Sequence, residues 1–212
     1  MKTLLLSLLF VSSAFAGGCD QFYPNGKPIA LPHSTELCNS FYVVEFDTTL
    51  NAPIFSAEKF RAQTNHVTRL NDFHPDVRLP AATRAEREDY HATGFDQGHM
   101  TPAADATTDA EMHDTFLLSN MTPQLPTLNR QAWRLLEIKV RQMVPDYVLT
   151  GNLYATTPAT MGDHHVPIPT AYYKIIWKDG VAQAWYAENK DHAPTKPIAV
   201  DDLEKLVGFK LQ

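Results

Sequence analysis

The stretch that most constrains this chain is Thr93 to Pro102, TGFDQGHMTP, taken together with Asn120 to Glu137, NMTPQLPTLNRQAWRLLE. In the first, Gly98 lets the backbone turn tightly beside Asp96, so Phe95 to Met100 reads as a strand end and turn that presents His99. The second runs into the clearest helix of the chain, which starts near Thr127 and stops before Pro145. Ala132, Leu135, Leu136, Val140 and Met143 have the spacing of one buried face. Asn120, Asn129 and Glu137 are carried into or beside that helix. A histidine base, an amide oxygen and a carboxylate are the minimum parts for metal-assisted phosphodiester hydrolysis.

The rest of the chain supplies strands and short helices. Phe41 to Phe46, Tyr147 to Tyr154, Ala171 to Trp177 and Val181 to Ala187 are β-branched and aromatic and read as strands. The last two are joined by a hairpin signal, Lys178-Asp179-Gly180. Ser56 to Phe60 fits either a short helix or a hairpin end, and Ala81 to Tyr90 is helix-compatible. His66 to Leu79 reads as a long loop, and Met121 to Pro126 as a Pro-rich one. Thr108 is placed to cap a helix from Asp109 to Phe116, and Asp201 one through Leu206. The expected division is a leader at 1–16, an irregular arm at 17–40 and a single mixed domain at 41–212.

The leader expectation rests on Lys2, an apolar run from Leu4 to Val11 and small residues at Ala14 and Ala16. The run is too short for a bilayer span, so no membrane attachment is expected of the mature chain, and its place is secreted or periplasmic. The two cysteines, Cys19 and Cys38, then read as one disulfide that ties the arm, with two free thiols as the alternative. Their spacing matches no zinc site. The formal net charge of −6 disfavours a general polyanion binder but not a local basic groove.

Five segments recur together in one known family: DQGHMTPAAD, FLLSNMTPQ, LNRQAWRLLE, VLTGNLY and IPTAYYKIIW. From about Asp47 to Ile176 the chain resembles the DNA/RNA non-specific endonucleases of the ββα-metal (His-Me finger) superfamily. The resemblance implies an α+β fold with a central antiparallel sheet flanked by helices. It also implies a single Mg²⁺, with Mn²⁺ possible, and products ending in 5′-phosphate and 3′-hydroxyl. One position departs from the pattern: Gln97 stands where the family usually has arginine between the Asp and Gly.

On this resemblance His99 is the general base and Asn129 the metal ligand, a role compatible with helix capping. His99 needs its second ring nitrogen oriented by an acceptor. Glu137, eight residues on, would sit about 12 Å along an α-helix and about 80° past two full turns from Asn129. It is therefore expected to support the metal site from outside the direct ligands. Asn120 is expected to fix the surrounding polar network, and Asp96 either orients water or holds the turn. Arg69 is matched to an upstream family arginine that meets phosphate, with Arg84 or Arg87 as substitutes. Gln97 would donate a hydrogen bond to phosphate without charge. Arg141, four residues past Glu137, either pairs with it or is solvated, and Arg141 and Arg87 are further candidates for substrate contact. Trp133 is expected to pack, and His164-His165 to lie in a solvated loop.

These readings lead to a secreted, Mg²⁺-dependent endonuclease acting on DNA and RNA. The alternatives are an exported nuclease toxin with an inhibitor protein as partner, and a nucleic-acid-binding protein with a weakened site, motivated by Gln97 and the acidic balance.

Overall fold

The computed structural model describes residues 18–26, 29, 31–62 and 67–211 of the 212. The leader expected at 1–16 lies outside the described residues. A seven-stranded antiparallel sheet organises the molecule. Its strands are β1 (Ser34–Cys38), β2 (Tyr42–Asp47), β3 (Ala52–Lys59), β6 (Tyr147–Leu153), β9 (Ala171–Lys178), β10 (Val181–Glu188) and β11 (Lys196–Ile198), in that spatial order. Between β3 and β6 the chain leaves the sheet to build a separate antiparallel pair, β4 (Asp96–His99) with β5 (Met121–Gln124). A second small pair, β7 (Thr160–Met161) with β8 (Val166–Pro167), follows β6. The helices are α1 (Asp109–Thr115), α2 (Arg134–Met143) and α3 (Val200–Val207).

The two faces of the sheet carry different cores, as period-2 alternation dictates. Tyr173, Ile175 and Trp177 of β9 point to the face covered by α3 and the N-terminal turn, where they join Phe55, Leu149, Leu203 and Cys19. Tyr172 and Ile176 point to the other face, where Trp133, Leu136 and Val140 of the helical segment pack on them. That second face holds the β4–β5 pair and the helix after it, so a ββα unit sits on a large antiparallel sheet.

Several local expectations hold. Thr108 caps α1, its Oγ1 accepting from the Glu111 N–H at 3.2 Å. Asp179 and Gly180 make a two-residue hairpin with φ of 50° and 75°, as a type I′ turn requires. Trp133 packs, its ring 5.6 Å from that of Tyr172.

Others are corrected. The arm is not irregular throughout, because Ser34–Cys38 pairs with β2 as an edge strand. Ser56 to Lys59 belongs to strand β3, whose residues Phe55 to Glu58 are all buried, covered from both faces. Met121 to Gln124 is the partner strand of the histidine segment rather than a loop, despite Pro123. Asp201 does not cap α3; Ala199 stands at the cap and Asp201 lies in the first turn. Leu135 is 60 % exposed and leaves the predicted buried face, because at about 100° per residue it stands about 100° from Leu136 and about 140° from Val140 on the regular helix Arg134–Met143.

Cys19 and Cys38 form a disulfide, with Cα atoms 5.7 Å apart, which fastens the N-terminal turn to the edge of β1. On the chain-entropy argument this loop should stabilise by roughly 3 kcal/mol. We expect thiol alkylation of the unreduced protein to label neither cysteine, and the Cys19→Ser/Cys38→Ser double variant to lose roughly 2–4 kcal/mol in denaturant unfolding. Two labelled cysteines, or an unchanged unfolding midpoint, would contradict this.

Candidate active site

Strand β4 delivers the central histidine. Gly98 faces Gln124 so closely that a Cβ there would lie 2.5 Å from its Oε1, so this register admits only glycine. The residues on either side, Gln97 and His99, line one open cavity. The His99 ring is held between Phe116, edge-on at 5.1 Å, and Phe73 at 6.0 Å. Its Nε2 is buried without a hydrogen-bond partner, so Nδ1 is the nitrogen that reaches the cavity. Packing between two phenylalanines thus replaces the acceptor expected to orient the ring. Burial, reinforced by the nearby Arg69 guanidinium, pushes the His99 pKa down to about 3, so the ring is neutral at neutral pH and one ring nitrogen keeps its lone pair.

The helical segment supplies the opposite wall. Asp96 accepts from Asn129 Nδ2 at 2.9 Å and from Arg130 Nε and Nη2 at 2.8 and 2.6 Å. Asp96 is therefore a clamp on the helix start. By engaging the amide nitrogen it leaves Asn129 Oδ1 as the side-chain atom open to another partner. The π-helical turn matters here, because an i→i+5 coil turns each residue through less than an α-helix does. The surplus rotation expected between Asn129 and Glu137 shrinks accordingly, and both residues line the same cavity.

Beneath Glu137 lies a buried charge cluster. Ser56, Thr150 and Lys174 stand side by side on three adjacent strands, and the Lys174 ammonium donates to Thr150 Oγ1. Lys174 and Glu58 are 1 % and 2 % exposed. Asp105, also buried, accepts from Arg141 Nη1 at 3.2 Å. Burial raises the pKa of Glu58 and of Asp105 and lowers that of Lys174. Burial also raises Glu137 to about 7, against the lowering pull of Lys174. Lys174, Arg141 and Arg69 all pull the Glu137 carboxyl down while Asp105 pushes it up, so its rise is the work of burial.

The structure redistributes several expected roles. Arg69 does line the cavity, its guanidinium stacked 5.1 Å over Phe116 and its Nε donating to Asn71 Oδ1 at 3.0 Å. Arg141 also lines it, but pairs with Asp105 rather than with Glu137. Asn120 does not reach the cavity: it is fully buried, accepts from the Thr101 N–H and donates to the Thr101 and Thr115 carbonyls. It fastens the exit of β4. Arg87 is exposed on a turn, Arg87–Tyr90, which is closed by the reciprocal Glu86 and Asp89 caps, and it is not a cavity residue. Arg84 pairs with Glu86 at 2.8 Å, away from the site. His164 is half-buried against Asp89 at 2.9 Å, while Gly162, Asp163 and His165 are exposed, as expected of a solvated loop.

Sequence reasoning missed Arg130 and Arg134, which line the cavity, and the Lys174–Glu58–Asp105 cluster. Both had a signal. Arg130 and Arg134 fall on the helix face of Glu137 and Arg141 at near-helical spacing, and Lys174 and Glu58 are charges set inside apolar strand runs.

A profile described as DNA/RNA non-specific endonuclease matches residues 21–212. The chain belongs to that family. It is 29 % identical over 212 residues to "Nuclease 1, mitochondrial" of Schizosaccharomyces pombe, covering 89 % of this chain and 65 % of that protein. It is 37 % identical over 153 residues to "Endonuclease G, mitochondrial" of Bos taurus, covering 64 % of this chain and 51 % of that one. The chain thus spans about half to two thirds of the length of these relatives. Among solved structures it matches the crystal structure of the EndoG/EndoGI complex with a TM-score of 0.79 and 25 % identity, covering 90 % of this chain and 89 % of that one. The α+β architecture with the ββα unit is therefore shared with this endonuclease family.

A divalent cation fits the donors in this wall. Asn129 Oδ1 is a hard neutral oxygen without a hydrogen bond among the described residues, and the Glu137 carboxylate shares its cavity.

The buried Glu137 carboxyl has a thermodynamic signature. A carboxyl whose folded pKa lies above its unfolded value stabilises the fold below the unfolded pKa, and the contribution is lost as pH rises through the folded one. For Glu137 the window runs from the ordinary carboxylate range up to about 7. We expect Glu137→Gln, in chelator, to be more stable than wild type by about 1–3 kcal/mol at pH 8, with the gain vanishing near pH 5. Urea unfolding at both pH values measures it, and a variant that is less stable at pH 8 would remove the buried-charge account.

Proposed function

We propose that this protein is an endonuclease that hydrolyses phosphodiester bonds in DNA and RNA with a single divalent ion, Mg²⁺ or alternatively Mn²⁺, held at Asn129. The observation that carries the reading is the convergence of His99 Nδ1, Asn129, Glu137 and Arg69 on one open cavity. His99, neutral because of its burial, takes a proton from the attacking water as the new oxygen–phosphorus bond forms and the bond to the 3′-oxygen breaks. Arg69 offers its guanidinium to the phosphoryl oxygens as their charge grows. Gln97, on the same wall, contributes a neutral hydrogen bond to the substrate. Asn129 would hold the ion, with Glu137 supporting the site from outside the direct ligands and Asp96 engaging the Asn129 amide nitrogen so that its oxygen is left free. A bound divalent ion would supply positive charge to the phosphate in the transition state. Asn120 acts through β4, by holding the strand that carries His99.

Export to the periplasm or the medium is supported by the apolar segment Leu4 to Val11 and by the Cys19–Cys38 disulfide, a bond of oxidising compartments. No helix among the described residues is long and apolar enough to cross a membrane. A protein inhibitor is a reasonable partner, since the solved relative's title describes inhibition of EndoG within the EndoG/EndoGI complex.

Plasmid nicking and RNA digestion by the purified mature chain, with and without chelator, test the reading directly. Chelator-resistant binding without cleavage would favour a capture protein instead. We expect His99→Ala to lower cleavage at least about a hundredfold with substrate binding retained. Near-wild-type turnover would remove His99 from the chemistry.

Asn129→Ala should abolish Mg²⁺-dependent activity, while Asn129→Asp retains some because a carboxylate can still ligate. Gln97→Arg should keep or raise activity and lower the apparent substrate constant most at low ionic strength, where screening is weakest. Initial rates against Mg²⁺ and against salt decide both. An unchanged Mg²⁺ dependence in Asn129→Ala means the ion is held elsewhere, and a folded but inactive Gln97→Arg means residue 97 does not face phosphate.

A further inference from the structure

The geometry points to a second metal site on this protein, formed by Asp72, His74 and His113 and suited to a transition-metal ion such as Zn²⁺. One ligand atom from each of the three residues lies within 4.8 Å of the others. His113 Nε2 is 3.8 Å from Asp72 Oδ2. Ligand atoms around tetrahedral zinc, at bond lengths of about 2.0–2.2 Å, stand roughly 3.3 Å apart. Rotation of two exposed side chains, His113 and Asp72, closes that difference.

The third ligand is already prepared. His74 Nδ1 lies 2.7 Å from the Asp72 carbonyl oxygen. A carbonyl only accepts, so Nδ1 carries the proton and Nε2 keeps its lone pair. That is the tautomer a metal needs, fixed by a hydrogen bond on the far side of the ring. The backbone is fixed as well: the His74 N–H donates to the Phe116 carbonyl at 3.1 Å, and the Leu118 N–H donates to the His74 carbonyl at 2.8 Å. The two imidazoles stack with centroids 4.2 Å apart and planes at 28°, so His113 turns out of the stack to bring its in-plane lone pair onto the ion that His74 meets. Two imidazole nitrogens with one carboxylate suit zinc and its neighbours in the first transition row, whereas Mg²⁺ prefers an all-oxygen shell. This chemistry separates the site from the oxygen donors Asn129 and Glu137.

Its position gives it a consequence. His113 lies in α1, while Asp72 and His74 lie in the 67–79 loop. Between them Phe73 packs on Phe116 at 4.9 Å and on His99 at 6.0 Å. Arg69 of the same loop stacks on the other contact of Phe116. An ion bound by the three residues would tie the Arg69-bearing loop to α1 and hold the packing around His99 from behind.

Calorimetric titration of ZnCl₂ into the chelator-treated mature protein, in excess Mg²⁺, tests the site, with His113→Ala and Asp72→Asn as comparisons. Both substitutions fall on exposed side chains and should leave zinc-free unfolding unchanged. We expect wild type to bind zinc with an affinity that falls at least tenfold in each variant. We also expect zinc to slow amide exchange across residues 67–75 in wild type and not in His113→Ala. Equal zinc affinity in wild type and both variants, or no binding by wild type, overturns the site. Zinc binding that leaves loop exchange unchanged overturns the tie between loop and helix. Neither readout depends on nuclease activity, so failure here is distinguishable from failure of the proposed reaction.

Discussion

The buried ammonium of Lys174 is the interaction on which the site depends. It stands on β9, an interior strand, on a sheet face that is otherwise closed by Trp133, Leu136 and Val140. A lone buried charge costs several kcal/mol, and removing one member of a buried pair leaves the other uncompensated. Here the compensation comes from three directions, with Glu58 on its own sheet, Asp105 from the turn after β4, and Glu137 from the helix. The segments that carry His99 and Glu137 are therefore bound to the sheet by charge as well as by apolar contact. The arrangement is not a stability optimum. Burial outweighs the pull of the cations at Glu137, the acid that borders the cavity, and raises its pKa to about 7.

The second constraint is the phase of the helix. A regular α-helix from Thr127 would leave Asn129 and Glu137 on diverging azimuths. The π-helical turn removes part of the rotation and lets both polar residues face one cavity, while Trp133 packs on Tyr172. The Asp96 clamp on Asn129 and Arg130 lies at this turn and supplies polar partners where the hydrogen-bond ladder is irregular. Local irregularity is thus held in place by the strand that carries the histidine.

What was legible follows from which information is local. Caps, hairpin residues and apolar strands are decided within a few neighbours, so Thr108, Asp179-Gly180 and Tyr147 to Leu153 could be read directly. Strand β5 could not, because Met121-Thr122-Pro123-Gln124 has no strand pattern of its own and is extended only because β4 pairs with it. Likewise, nothing in the residues Leu128 to Trp133 announces a π-helical turn. The site was legible as a set of motifs, and His99, Asn129, Glu137, Arg69, Gln97 and Arg141 all line one cavity. The motifs did not distinguish residues that face the cavity from those that build it. Asn120 carries the same amide as Asn129, yet both its donors and its acceptor are consumed by Thr101 and Thr115. Burial, which a motif does not encode, separates the two.

The acidic net charge and the neutral Gln97 together raise the question of how a polyanion would be attracted to this cavity. The sum of charges is a poor guide, because cations at the wall differ in how far they are already neutralised. Arg130 is engaged by both oxygens of Asp96, and Arg141 is paired with Asp105. Arg69 and Arg134 form no salt bridge among the described residues, Arg69 donating to the Asn71 amide and Arg134 to the Arg130 carbonyl. A neutral partner orients a guanidinium without cancelling its charge. The attraction for phosphate therefore concentrates on these two arginines, one from the 67–79 loop and one from the helix, both lining the cavity of His99. With Gln97 uncharged in the same lining, the placement of Arg69 carries more of the electrostatic work than in a site with a third free cation, which makes the packing of its loop on Phe116 a functional constraint as well as a structural one.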